Sequence, residues 1–370
     1  MKKQKLNAKK IVKILAVLAV IAAVITMFSF LVAVNLQGLA YDMADVPFVG
    51  SEVEIVSEDI DSVTIKKSGD GEFKIMMFSD SHLNGKEDTD LQAVSYMLKN
   101  IEEGKPDLVV FGGDNISSGF NLARYNQFAE ILEKTGVYWC SVLGNHESEG
   151  IMTYSRKKIV DIFASFDHCL MRRGVEDIDG YGNYTVNILG DDGKLQEVIF
   201  LMDSGTYMSD KIQKQYNVVN PTSHYDGVKE SQVQWYKEKH DAIEKQYGEF
   251  KSITVIHIPP YESNYTTDIE PVYGTKNEGM CPAGFNSGIF DAMKEKGSIQ
   301  AIYFGHDHTN YYGVMYEGVL LSYIQSAGYS SYNMGSNGYP ESEWVQGCTI
   351  LTLNEDGTYE TENVFNHADA

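Results

Sequence analysis

The sequence predicts an α/β sandwich built on parallel strands, preceded by one membrane-spanning helix, and three observations carry that prediction. Apolar runs rich in Val, Ile and Phe alternate with segments whose apolar residues recur at helical spacing, the pattern of strand–helix–strand units and hence of parallel strands. Several of those runs stop at Gly, Asp, Asn or His, as buried strands do at the rim of a sheet. Ile14 to Val34 carries no charge over 21 residues and follows six lysines; as a helix it would span roughly 30 Å, enough for a bilayer core.

The lysines are Lys2, Lys3, Lys5, Lys9, Lys10 and Lys13, with no acid among residues 1–13. Positive charge before the span and acidic chain after it predict a single-pass protein of the cell membrane, with a cytoplasmic N-terminus and the bulk outside. A cleaved signal peptide, leaving a secreted protein, is the alternative. Signal h-regions are shorter, however, and Gly38-Leu39-Ala40 is a weak cleavage site. The expected organisation is a basic N-terminus (1–13), a transmembrane signal anchor (14–34), an acidic connector (35–62) and one domain (63–367).

Within that domain, Val63 to Lys67 and Glu72 to Phe78 around the Gly-bearing loop 68–71 read as a hairpin. Thr89 to Gln92 reads as a capping box ahead of a helix with Leu91, Val94, Leu98 and Ile101 on one face, stopped by Gly104 and Pro106. Asp107 to Asp114 is an apolar strand ending in Gly-Gly-Asp. Leu122, Tyr125, Phe128, Ile131 and Leu132 mark the next helix, ended by Gly136, and Val137 to Leu143 the next strand. Ile159, Ile162, Phe163 and Phe166 give another helix, and Gln196 to Met202 a strand reaching Asp203. Residues 206–228 form a long Tyr- and Asn-rich loop of the kind that lines sites. Val233 to Tyr247 is helical, and Ser252 to Ile256 is a strand that cannot pass Pro259-Pro260. A short helix near Ile289 precedes the strand Ile299 to Phe304. The remainder, Val314 to Tyr323, Cys348 to Leu353 and Thr358 to Phe365, turns like antiparallel β.

The net charge of −22 argues against a nucleic-acid partner, which would need a basic footprint. Cys140, Cys169, Cys281 and Cys348 have no metal-like spacing, and an external address permits a disulfide without requiring one.

Five strand ends present Asp80 and His82; Asp114; Asn145 and His146; His257; and His306 and His308, so five of the nine histidines sit at the ends of apolar runs. Each has a bland reading alone: Asp80 as a cap, Asn145 and Asp203 as turn residues, His257 as a core histidine. Together they outweigh it, because in a parallel sheet the carboxyl ends of the strands share one edge. Nitrogen and oxygen donors without thiolate suit Mn, Zn or Fe. Seven donors exceed one tetrahedral ion, and two ions sharing Asp114 account for them. Such a pair, roughly 3.5–4 Å apart, is a phosphoryl-transfer device. His240 on an apolar helix face reads as core, His168 and His367 as solvent histidines, and His224, in the long loop, as a candidate substrate contact.

Asp80-x-His82, Gly113-Asp114, Gly144-Asn145-His146-Glu147, His257 and Gly305-His306-x-His308, in that order over roughly Phe73 to Tyr312, resemble the calcineurin-like metallophosphoesterase family. The resemblance implies a four-layer α/β/β/α sandwich. Asp80, His82, Asp114 and His308 would hold one ion, and Asp114, Asn145, His257 and His306 the other. His146 would contact the phosphate and protonate the leaving oxygen, while Glu147 and Asp307 would orient imidazoles. Gly113-Asp114-Asn115-Ile116, Asp203-Ser204-Gly205 and Asn286-Ser287-Gly288-Ile289-Phe290 are similar to the purple-acid-phosphatase-related branch. That branch's purple members carry Tyr three residues after the bridging Asp; Ser117 stands there, so no tyrosinate colour is expected.

The expected function is hydrolysis of a small phosphate monoester by in-line attack of a metal-bridging hydroxide, with the bilayer as the other partner through residues 14–34. Diester or pyrophosphate hydrolysis on nucleotides or lipid head groups is the rival within enzymes. A metal-bound but inactive surface binding protein is the rival from another class.

Overall fold

The computed structural model describes residues 8–366 except 37, 40, 69–70, 118, 120, 220–222 and 355–357. Lys2, Lys3 and Lys5, the middle of the 68–71 loop and His367 lie outside the described residues. Elements are numbered along the chain. Helix α1, Ala8–Leu36, contains a stretch, Lys9–Ala33, long and apolar enough to cross a membrane and not packed inside the protein.

The connector is strapped down rather than free. Leu39 and Val46 are buried. On helix α3 (Leu122–Thr135) the Gln127 amide bonds both the N–H and the carbonyl of Leu39, and the Val49 and Gly50 N–H groups donate to the Thr135 carbonyl. Two sequence expectations change here. Val53–Asp59, within the expected connector, is strand β1, and it pairs antiparallel with β2, Ser62–Lys67. Its acids hid it: only Val53 of the strand is buried, so the apolar alternation is faint. Consequently β2 does not form a hairpin with β3 (Phe73–Phe78). The two strands belong to different sheets.

The larger sheet runs in spatial order β1, β2, β6 (Tyr184–Leu189), β7 (Leu195–Leu201), β8 (Ser252–Val255), β9 (Ile299–Phe304), β11 (Val319–Tyr323) and β10 (Gly313–Tyr316). The smaller runs β13 (Tyr359–Phe365), β12 (Gly347–Leu353), β3, β4 (Leu108–Phe111) and β5 (Trp139–Ser141). Strand β6 was not foreseen: all six of its residues are buried, so polar Thr185 and Asn187 face the interior and blur the pattern.

The two sheets pack face to face, as the four-layer reading requires. Ile75 and Val110 of the smaller sheet share one apolar cluster with Ile199, Leu201, Val255 and Tyr303 of the larger. Helices α2 (Glu87–Gly104), α3 and α4 (Arg156–Phe163) cover the smaller sheet, with Phe128 and Phe163 packed on Trp139. Helices α6 (Glu230–Tyr247) and α7 (Ile289–Lys296) cover the larger through Trp235, Tyr236, Phe290 and Met293. The expected capping box at Thr89 is absent. The helix α2 starts earlier, at Glu87, and the buried Asp90 carboxylate instead accepts from the Asn84 and Gly85 N–H groups. The long loop after β7 also contains a short helix, α5 (Asp210–Gln215), capped by Ser209.

Register positions the site. In the smaller sheet Phe78 pairs with Phe111, and Phe111 with Ser141. In the larger, Leu201 pairs with Val255, and Val255 with Tyr303. Six parallel strands therefore end level, and the segments beyond them, carrying Asp80, Asp114, Asn145, Asp203, His257 and His306, leave at one rim.

Candidate metal centre

At that rim two donor groups form. Asp80, His82 and His308 place one ligand atom each within 4.8 Å of one another, and so do Asp114, His257 and His306. The His82 and His308 Nε2 atoms lie 3.0 Å apart, and the His308 Nε2 is 3.6 Å from Asp80 Oδ1. In the second group His257 Nε2 is 3.1 Å from Asp114 Oδ2 and 3.1 Å from Asn145 Oδ1. Asp114 joins the groups: its Oδ2 is also 3.6 Å from His82 Nε2, while its Oδ1 accepts the His146 N–H at 2.7 Å.

The local backbone is built for this convergence. Asp80, His82, Asp114 and His306 all have positive φ (52°, 47°, 52° and 80°), a left-handed conformation uncommon outside glycine, and here it turns the side chains inward. Gly144 leaves room for a carboxylate: a Cβ there would lie 2.1 Å from Asp114 Oδ1.

The far ring nitrogens are tied. His257 Nδ1 donates to the Gly112 carbonyl at 2.8 Å and His308 Nδ1 to the Tyr332 carbonyl at 3.1 Å, which turns each Nε2 toward the pocket. Burial, with the nearby His257 charge, pushes His306 down to about 3, and burial with His82 pushes His308 down to about 4, so both are neutral, the ligand form. Burial opposes charge on His257, yet the Asp114 and Asp80 carboxylates raise it to about 10. Asp80 and Asp114 are themselves held below the usual carboxylate range, burial being outweighed by His82 and His257. The carboxylates draw positive charge into the pocket. Asp80 Oδ1, His306 Nε2 and Asn145 Nδ2 are buried without a hydrogen-bond partner, and two of these are lone-pair donors facing the same space. A donor set of this chemistry fits a pair of divalent cations.

Glu147 and Asp307 lie beside the site, but among the described residues neither is hydrogen-bonded to an imidazole. Burial and the Asp114 charge push Glu147 up to about 8. Its carboxylate accepts the N–H groups of Asp114 (3.1 Å), Asn115 (2.7 Å) and Gly144 (2.8 Å), stitching two ligand loops together. Asp307 takes the Cys281 N–H and the Tyr323 hydroxyl. Asp203 is more than a turn residue. It pairs with the half-buried Arg156, whose guanidinium also holds the Gly144 and Leu143 carbonyls, and that charge holds Asp203 down against the pull of burial. Ser117 donates its hydroxyl to the His82 carbonyl.

His146 stands at the mouth, a third exposed, its ring 5.3 Å from that of His82 and its Nδ1 paired with Glu149. His224 is not brought to the cluster. Its side chain is exposed, and the neighbouring Tyr225 packs edge-on to His306 instead, with ring centres 4.1 Å apart. Tyr207 stacks on Tyr225, and Tyr332 stacks on His308 at 4.1 Å, so three tyrosines wall the cluster. His240 is buried as expected of a core histidine, and His168 pairs with Glu133. The sequence signal for Tyr207 and Tyr225 was only the Tyr-rich composition of 206–228. Tyr332, Arg156 and Glu149 gave none.

The sequence model of the family described as calcineurin-like phosphoesterase matches residues 73–310. Two Arabidopsis thaliana proteins are similar along most of their length. Probable inactive purple acid phosphatase 14 is 27% identical over 76% of this chain and 75% of its own, and probable inactive purple acid phosphatase 29 is 29% identical over 72% and 75%. A crystal structure of a dimetal phosphatase from Danio rerio superposes with a TM-score of 0.50 at 15% identity, covering 76% of this chain and 93% of that one, a likeness of fold.

Proposed function

The chain belongs to the calcineurin-like phosphoesterase family, and from that premise we propose that it hydrolyses small phosphate monoesters, with two Mn, Fe or Zn ions held by Asp80, His82, Asp114, Asn145, His257, His306 and His308. The observation that carries the reading is the pair of buried donor groups joined through Asp114, with Asp80 Oδ1 and His306 Nε2 lacking hydrogen-bond partners. Ions bound there would supply Lewis-acid charge for phosphoryl oxygens and acidify a water.

The residues of the chain do the rest. The buried pocket excludes bulk water from the donors. His146, at the mouth, gives its proton to the leaving oxygen as the P–O bond breaks. Tyr207, Tyr225 and Tyr332 bound the space for the organic group. The segments 115–136, 205–228 and 261–286 carry no basic cluster to grip a long polyanion, which favours a small monoester over a nucleic acid or polyphosphate.

A second reading, cation binding without turnover, is favoured by the names of the two Arabidopsis relatives, both called probable inactive. The intact His146 at the mouth counts against it. The deciding experiment is metal analysis with turnover of p-nitrophenyl phosphate and its bis ester, after chelation and Mn²⁺ readdition. Two ions per chain and restored monoester turnover are expected; two ions with no turnover of any ester in a wider panel would establish the binding reading. Asp114→Ala should lose both ions and activity. His146→Ala should keep the ions and lose about 10²-fold in kcat on esters with poor leaving groups.

For α1 the proposal is an uncleaved anchor with its lysines in the cytoplasm and the domain outside, supported by the Lys9–Ala33 span. Protease added to intact cells should remove the domain; protection would reverse the topology.

A further inference from the structure

We propose that Glu149 is the positioning residue for His146: its carboxylate holds the imidazole through Nδ1 so that Nε2 presents a proton to the leaving oxygen, and Tyr207 fixes that carboxylate in turn. The proposal rests on the hydrolytic reading above.

The chain turns back after His146, with the Glu149 N–H donating to the His146 carbonyl at 3.2 Å, and this sets the Glu149 carboxylate against the ring edge. One carboxylate oxygen meets His146 Nδ1, and the other accepts the Tyr207 hydroxyl at 3.0 Å. Tyr207 comes from the separate loop after β7. It stacks on Tyr225, ring centres 5.7 Å apart, and Tyr225 rests on His306. The carboxylate is thus braced by an aromatic pair seated on the donor cluster, although it stands at the surface. Among the described residues, Nε2 of His146 has no protein hydrogen-bond partner.

A third-exposed imidazole without a tether turns among rotamers, whereas proton delivery needs it within roughly 0.5 Å of its working position. A carboxylate behind the ring holds Nδ1–H and fixes the direction of the ring, the arrangement used where a histidine must act in one direction. In the step, the P–O bond to the leaving group breaks and its electron pair goes to that oxygen, which takes the Nε2 proton. Water supplies the oxygen that phosphorus gains; one of its protons stays on the phosphate product and the other restores the one Nε2 gave up. Glu149 keeps its hydrogen bond and is unchanged.

The test uses the detergent-solubilised full chain loaded with Zn²⁺ or Mn²⁺, with metal content measured for each protein. Glycerol 2-phosphate expels an alkoxide that needs a proton; 2,4-dinitrophenyl phosphate expels an anion that does not. Glu149→Gln and Glu149→Ala should lose at least about tenfold more kcat on the alkyl ester than on the dinitrophenyl ester. Their ion content should match that of the wild type, and Tyr207→Phe should show a smaller shift in the same direction. Equal losses on both esters, or none, overturn the proposal. His146→Ala is the reference. If it shows no leaving-group preference, the acid role assigned to His146 fails; if it does and Glu149→Gln does not, only the role of Glu149 fails. Long-range ¹H–¹⁵N correlations of the His146 ring in the Zn²⁺ form read the contact without turnover. A proton on Nδ1 in the wild type that shifts or exchanges in Glu149→Gln is expected, and an unprotonated Nδ1 in the wild type overturns the proposal.

Discussion

Gly305 tests how tightly the donor cluster is packed. A Cβ at this position would lie 2.5 Å from Asp80 Oδ2 and 1.9 Å from Ser79 Oγ. Ser79 can yield, since its buried hydroxyl has no hydrogen-bond partner to lose. Asp80 cannot yield freely, because the same oxygen accepts the His306 N–H at 3.0 Å. To reach even a tight contact of about 3.0 Å, Asp80 or the His306 segment must retreat by roughly 0.5 Å, against a ligand-distance tolerance of about 0.2 Å. The backbone at 305 is not left-handed, so Gly305→Ala adds no backbone strain to these contacts. We expect the variant to fold and to bind one of two ions about 10- to 100-fold more weakly, read by titration with Mn²⁺ under competing chelator. Gly279→Ala is the control, having neither positive φ nor a neighbour within 4 Å. Wild-type affinity for both ions in Gly305→Ala would refute the argument that Asp80 and His306 are held by this contact.

Two further predictions concern stability. Glu197 on β7 is buried with Oε1 unpartnered, and burial pushes its carboxyl up to about 8 despite Lys251. The unfolded chain releases this proton near pH 4.5 and the folded chain only near 8. Stability therefore falls across that window, by roughly 3–5 kcal/mol at most. Glu197→Gln should flatten the fall in thermal-unfolding scans from pH 5 to 8; an unchanged slope would show the carboxyl to be ionised throughout. Arg156→Met strands the buried Asp203 and frees the Gly144 and Leu143 carbonyls, so it should cost about 3–5 kcal/mol. Adding Asp203→Asn should recover part of that loss in the same unfolding assay, and additive losses would argue against the pairing.

The donor residues could be read from the sequence because strand ends are local events. An apolar run that stops at Gly-Asp or Gly-Asn-His announces both its burial and its rim position, and level register in two sheets then brings those rims together. Other features depend on tertiary neighbours. Strand β6 is buried on both faces, so alternation says nothing about it. Strand β1 shows acids to solvent at a sheet edge and reads as a connector. Glu147 looks like a partner for an imidazole in the motif, yet it is spent on three backbone N–H groups that only folding assembles. Tyr225, rather than His224, reaches the cluster because the loop after β7 lays its aromatic residue on His306, and one residue of register decides which side chain points in.

The left-handed backbone at Asp80, His82, Asp114 and His306 has an engineering consequence. Each position holds a conformation that glycine adopts without penalty and other residues at roughly 1 kcal/mol. At His306, whose ring Nε2 has no hydrogen-bond partner, a library screened for heat resistance would be rewarded for glycine, and that reward would delete one proposed cation donor; at Asp80 and Asp114 the lost bonds to the His306 and His146 N–H groups cancel the gain. Thermal hardening and mineral loading therefore pull the His306 codon in opposite directions, and a hardened variant should be assayed for its ions before its melting point is taken as progress.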